Sequence, residues 1–446
     1  MFMRQALRNF IAAFIFIVLF LIGCEGNPLI EKIHTQENKL TEPTLTVDQL
    51  QSDLNSKETE TVEPVSGVSD QIALTIWVPA QFLPSSDSDQ AKSFYQRLQD
   101  FKGENPQVEI NVRVKASNGQ GNLLNSLINT SLVAQGAKPS LIILSRTDMQ
   151  IAVERGVIYP IVDYSTVIGS LDWYQYAREL AMIKGVTYGL PFVGDALAII
   201  ANPKIIDEDV TTWLDLREQS APLYFPAADS QALVLIALYQ SAGGKINDQQ
   251  GQPIIQTDIL EKTLEEFALG VSKGIFSSDM VNYQLDKQTW QLFQDGQADW
   301  VITWITNYLE SDGSAQKVIQ LPSIGPESYA LSRGWIWCLS ESDPEKAKWS
   351  ARLAEYLTER DFLASWTYTA GFLPVRPSSM SEWKDQSSLN AINKILLDAH
   401  IGPEMGLTEN ITPVLRESLG NILEQRMDPE LAAQTAIQQW EETQTE

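Results

Sequence analysis

Between Ile72 and Ile161 the spacing of apolar residues switches repeatedly between two periods, and that alternation narrows the possible folds more than any other feature. Ile72-Ala73-Leu74-Thr75-Ile76-Trp77-Val78 alternates and is β-rich, as a strand requires. From Ala91 to Phe101 the residues Phe94, Leu98 and Phe101 fall on one helical face. A turn at Asn105-Pro106 leads into a second alternating run, Val108 to Val114, and Leu123 to Ala134 reads as a second helix. Leu141-Ile142-Ile143-Leu144 is continuously apolar, as strands buried on both faces of a parallel sheet are. A third helix is expected from Asp148 to Gly156. Strand followed by helix, three times over, specifies an α/β layer on a parallel sheet. The pattern resumes after Gly189-Leu190-Pro191, with helices from Thr211 and Leu233, strand-like Leu223-Tyr224-Phe225, and a mostly helical stretch from Glu345. Two α/β lobes joined by extended crossings fit it best. With crossings near Leu190-Pro191-Phe192, Leu321-Pro322-Ser323 and Gly371-Phe372, lobe 1 takes 71–190 and about 322–370, and lobe 2 takes 191–321 and about 371–446.

The N-terminus predicts the compartment. Arg4 and Arg8 precede an unbroken apolar run from Phe10 to Gly23. That run has the length of a signal-peptide core and falls short of the roughly 20 residues of a membrane span. It ends at Leu21-Ile22-Gly23-Cys24, which resembles the bacterial lipobox: residues 1–23 would be removed and Cys24 would carry a diacylglycerol. An uncleaved anchor is the alternative, and both leave the rest outside the cytoplasm. From Glu25 to Asp70 the chain is rich in Glu, Thr, Ser, Gln, Asn and Pro and holds none of the twelve tryptophans, so 24–70 reads as a lipidated cysteine and flexible tether.

Composition excludes several chemistries. The net charge is −25, two units more negative without Arg4 and Arg8, which opposes binding to nucleic acid or anionic lipid. Cys338, in the apolar run Trp335 to Leu339, reads as a small buried hydrophobe, and no disulfide framework exists. His400 is the one histidine of the folded part, expected at the surface or a helix end. There is no G-x-S-x-G elbow, no His/Cys zinc set and no phosphate-binding loop; Asn118-Gly119-Gln120-Gly121-Asn122 reads as a flexible turn. A two-carboxylate glycosidase stays formally open, but no pair of acids stands out. The expectation is therefore a protein that is not an enzyme and uses no cofactor or metal.

A resemblance covers nearly all of the folded part. Leu74-Thr75-Ile76-Trp77, then Phe101 to Ile110, Pro139 to Leu144 with Asp148, and Gly156 to Ile161 resemble, in that order, the first elements of the extracellular solute-binding proteins of ABC importers. This is the family that includes maltose-binding protein. Gly185 to Pro191, Thr212 to Leu216, Phe293 to Ile302, Gly334 to Trp337 and Gly371 to Arg376 continue the series. It departs at Asp195-Ala196-Leu197-Ala198, without the aromatic often found before Asn202, and at Asp299-Trp300. The resemblance implies a two-lobed periplasmic-binding-protein (type II) fold with an interlobe cleft and hinge crossings. It also implies a lipid-anchored monomer that captures a small polar solute, a sugar first and a polyamine or other solute second, for a membrane permease.

Strand ends facing the crevice of an α/β sheet collect ligand-binding groups, and a sugar needs an aromatic face with paired donors and acceptors. That rule selects Gln81 after the first strand, Ser145, Arg146 and Asp148 after the third, and Asp195 at the first crossing. It adds Trp304, Asn307 and Tyr308 after Val301-Ile302, Trp335 beside the second crossing, and Arg376 after Pro374. Each has a plainer reading. Asp148 would cap its helix, Asp195 would brace the hinge backbone, Arg376 would pair with surface acids, and Trp304 and Trp335 would pack between lobes. Trp77, Trp213, Trp300 and Trp366 are expected in the core.

Overall fold

The computed structural model describes residues 44–46 and 71–446, apart from 120, 205–209, 249, 312–315, 327–328, 385–387, 405–408 and 446. The expected signal peptide, Cys24 and nearly all of the tether lie outside the described residues. The exception is β1 (Thr44–Thr46), which pairs antiparallel with the sheet edge, so the tether reading does not hold for those three residues.

The first lobe opens as its periodicity demands. β2 (Ile72–Pro79), β3 (Val108–Lys115) and β4 (Leu141–Ser145) run parallel, with β2 in the middle. The helix Asp89–Glu104 buries Ala91, Phe94, Leu98 and Phe101, and the helices Leu123–Val133 and Arg146–Glu154 complete the layer. A small hairpin, β5 (Met182–Ile183) with β6 (Val186–Thr187), precedes the long strand β7 (Gly189–Ala201), which is buried along its whole length. β8 (Leu223–Tyr224), β9 (Trp300–Trp304) and β10 (Lys317–Ile319) belong to the second lobe. β11 (Ala330–Leu339) returns to the first, followed by the short β12 (Leu373–Pro374) and β13 (Ala399–Ile401).

Strand order is β1-β3-β2-β4-β11-β7-β9-β8, so one hydrogen-bonded sheet spans both lobes instead of two separate sheets. The cause is the length of β7. Its first part pairs with β11 and β12, and its second part with β9 and β10. Side chains then alternate: Leu197, Ile199 and Ala201 enter one hydrophobic cluster, Ala198 and Ile200 the other. Trp77, Trp213, Trp300 and Trp366 are all buried, as is Cys338, whose thiol burial pushes upward in pKa.

Two expected boundaries move. The second crossing is β11 itself, residues 330–335, and not Leu321-Pro322-Ser323, which lies in the loop before it. Gly371-Phe372 is not a crossing at all. Gly371, at φ 71°, is the left-handed cap that ends the helix Arg360–Ala370. Phe372, Leu373, Val375, Met380, Trp383 and Ile395 then remain in the cluster built around Leu74 and Leu141. The later helices Thr412–Leu423 and Pro429–Thr445 pack in the other cluster.

Candidate functional site

The carboxyl ends of the three parallel strands face the second lobe across a cleft of about 530 Å³. From the first lobe come Gln81 after β2, Asn118 and Asn122 after β3, and Ser145, Arg146 and Asp148 after β4. Gln231, Leu233, Ile236 and Trp304 line the opposite side, and Ser332, Arg333, Gly334 and Trp335 of β11 form the floor. Parallel strands place their loops at one end, so residues distant in sequence meet there.

Trp335 is half-buried and held by its edges. Phe82 meets it at 5.6 Å and Phe372 at 5.7 Å between ring centres, both near perpendicular. Phe372, expected at a hinge, is thus a prop for the cleft tryptophan. Two residues back on the same strand, and so on the same face, Arg333 lies 3.8 Å over the Trp304 ring and 5.7 Å from that of Trp335. Its Nε and Nη2 donate to Asp195 Oδ2 at 3.1 and 2.8 Å. Asp195 also accepts from Thr306 N at 3.1 Å and Thr306 Oγ1 at 2.8 Å. Its carboxyl is fully buried, and burial raises its pKa above the usual range against the lowering effects of Arg333 and Thr306.

At the other wall Ser145 is the N-cap of the helix Arg146–Glu154, its hydroxyl accepting from Asp148 N at 3.1 Å. Asp148 is therefore not the cap but sits in the first turn; burial raises its pKa, opposed by a hydrogen bond with Ser145. Arg146 approaches Glu404 at 3.5 Å, while its Nε and Nη1 are buried with no hydrogen-bond partner among the described residues. Burial lowers the Arg146 pKa and Glu404 works against it.

The cleft thus collects Gln81, Ser145, Arg146, Asp148, Trp304 and Trp335, and leaves out the other four candidates. Asp195 lies beneath Arg333, on the crossing strand. Asn307 donates to Asp286 Oδ2 at 2.7 Å and to Thr303 Oγ1 at 2.6 Å, which ties the helix Ile305–Glu310 to the start of Asp286–Gln294. Tyr308 is buried in the hydrophobic core. Arg376 stacks on Trp173 at 3.7 Å, donates to Thr358 O at 2.8 Å and meets Asp172 at 3.4 Å, away from the cleft. His400 sits on β13, partly buried and stacked on Tyr329 at 5.0 Å, and not at a helix end. Arg333, Asn118, Asn122 and Gln231 escape the sequence reading. The strand-end rule that selects Gln81 applies equally to Asn118, and the period of two that exposes Trp335 applies to Arg333.

A family model described as bacterial extracellular solute-binding protein matches residues 96–391. The chain belongs to that family. Family membership sets the location of this solute-binding protein outside the cytoplasm. It is similar to a binding protein of Brucella abortus (strain 2308), 21% identical over 362 residues that make up 75% of this chain and 86% of the relative. A maltotriose-binding protein of Pyrococcus abyssi is 30% identical over 129 residues, 27% of this chain and 28% of that one. Among solved structures, the cyclic α-maltosyl-1,6-maltose binding protein of Arthrobacter globiformis superposes with a TM-score of 0.68 at 15% identity, covering 83% of this chain and 98% of its own. The shared architecture is the two-lobed fold with its cleft.

Proposed function

We propose that this solute-binding protein is the lipid-anchored receptor of an ABC importer, holding a carbohydrate between its lobes and delivering it to a membrane permease without a chemical step. The observation that carries the reading is the floor of the cleft: half-buried Trp335, edge-held by Phe82 and Phe372, beside an arginine and ringed by Gln81, Asn118, Asn122, Asp148 and Gln231. An aromatic ring packs against the C–H face of a sugar, and short amides and carboxylates pair its hydroxyls. Relatives named for maltotriose and for a cyclic maltosaccharide support the same solute class.

The cleft is lined from both lobes, so a solute that touches both favours the closed arrangement, and the permease would read the outer faces of that arrangement. The crossing strands β7 and β11 would absorb the rotation. Gly23-Cys24 after an apolar run supports the anchor, and 24–70, apart from the described strand at 44–46, would be its tether.

Thermal unfolding of the chain from residue 24 on, carrying Cys24→Ser, against maltose, maltotriose, other oligosaccharides, spermidine and amino acids tests this. A solute bound only by the folded state adds about 2.7 kcal/mol at a hundredfold excess over Kd. The expected outcome is a shift with one saccharide and no turnover of it. A shift with spermidine alone would replace the solute class, and hydrolysis of the saccharide would replace the function.

A further inference from the structure

We infer that Arg333 is the residue that reads the solute, and that Asp195, Thr306 and Trp304 are positioning residues that aim its guanidinium into the cleft. The inference rests on the carbohydrate reading of the cleft and assigns its polar selectivity to one side chain. Trp304 is only 5% exposed and carries the guanidinium carbon 3.8 Å from its ring centre, so it is a shelf for Arg333 and not a second platform for a sugar ring. The Nε–Nη2 edge is occupied by Asp195 Oδ2. Nη1 makes no hydrogen bond among the described residues, and the side chain keeps 43% of its surface open.

A guanidinium has five donors in a rigid fork, so fixing one edge and one face leaves the remaining donors with a defined direction. The support comes from three places. Asp195 is the cross-strand neighbour of Arg333 on the other crossing, Trp304 ends β9, and Thr306 stands in the first turn of the helix that follows it. A solute held by Arg333 therefore pulls on both crossing strands and on the second lobe at once. A lysine cannot reproduce this, because an ammonium neither lies flat on the indole nor reaches past an occupied edge.

Titration calorimetry with maltotriose tests the assignment on wild type, Arg333→Lys and the double variant Asp195→Asn/Arg333→Met. Losing a charge-assisted donor predicts affinities lower by about 10- to 100-fold for both. The double variant removes both charges together and keeps its unfolding temperature near wild type, which separates lost recognition from lost fold. Affinity within about threefold of wild type in either variant overturns the inference while leaving the carbohydrate reading intact.

A solute-free measurement decides the positioning half. Asp195 faces Arg333 from β11, Tyr176 from the helix Gln175–Leu180, Asp286 and Glu310. Without Arg333 only neutral or acidic groups remain around a buried carboxylate, which then favours its protonated form further. Arg333→Ala should fall furthest below wild type near about pH 8 and recover toward about pH 5. A gap independent of pH overturns the role of Asp195. Wild type that binds no saccharide overturns the solute-reading half together with the reading beneath it, and the pH comparison still decides the rest.

Discussion

Gly194 and Gly334 face each other across the two crossing strands, and neither position has room for a side chain. A Cβ on Gly334 would stand 2.6 Å from the Val193 carbonyl oxygen and 2.5 Å from Leu180, and one on Gly194 only 2.0 Å from the Tyr176 hydroxyl. That hydroxyl is buried and makes no hydrogen bond among the described residues. The carbonyl belongs to the paired strand and cannot yield without breaking the ladder. Gly334→Ala should therefore cost about 1–3 kcal/mol, read as a lower urea midpoint at unchanged slope. A midpoint equal to wild type would mean that β11 moves freely against β7. Residues of this kind were the least legible in the sequence. Gly334 stands out only within a short run resembling a family pattern, whereas Arg333 takes its meaning from Asp195, 138 positions away. Asn307, Tyr308 and Arg376 lie outside the cleft lining for the same reason: their partners Asp286, the core and Asp172 are set by register and helix packing, which local spacing does not encode.

The helix Arg146–Glu154 shows what local spacing does encode. Ser145 ends a continuously apolar strand and starts the helix, and the first turn then presents Arg146 and Asp148 to the cleft. The strand, the helix and the cleft position of all three residues follow from sequence; only the identity of the cap differs, because the helix starts at Arg146, ahead of Asp148, and the preceding Ser145 accepts from the free amide at the third helical position. Ser145→Ala should cost about 1 kcal/mol of stability by removing that bond. It should also weaken solute binding through the loosened turn, measured by calorimetry beside the unfolding curve. Loss of stability with unchanged affinity would take this turn out of the site. The same contrast runs through the other elements. β2, β3, β4 and the helix Asp89–Glu104 match their periodicities, while the second and third crossings do not. Leu321-Pro322-Ser323 and Gly371-Phe372 carry turn chemistry, and turn chemistry marks where a chain bends without saying which lobe it bends toward.

Across the whole chain 57 acids stand against 32 lysines and arginines, and the carboxylates removed from solvent face the same pressure as the exposed ones. Burial raises Asp148, Asp195 and Asp286 above the ordinary aspartate value of 3.8. Each holds a proton in the folded chain at a pH where the unfolded chain has lost it. Stability must then fall as pH rises through the folded values and recover as it drops toward the unfolded one. Repulsion among surface acids acts in the same direction, since protonation relieves it. Asp215, pulled down by its hydrogen bonds with Thr212 and Thr211, opposes the trend from an exposed helix start. Exposed groups are screened by solvent, so the buried set should prevail. Urea midpoints are therefore expected to rise as pH is lowered from about 8 toward the ordinary aspartate value of 3.8. Roughly 0.5 M salt should reduce this rise by screening the surface acids, while the share of the fully buried Asp195 persists because burial shields it from ions. A midpoint that climbs with pH would show that depressed carboxylates outweigh the buried ones. A rise abolished by salt would place the whole effect on the surface and leave the crossing-strand carboxylate without a part in it.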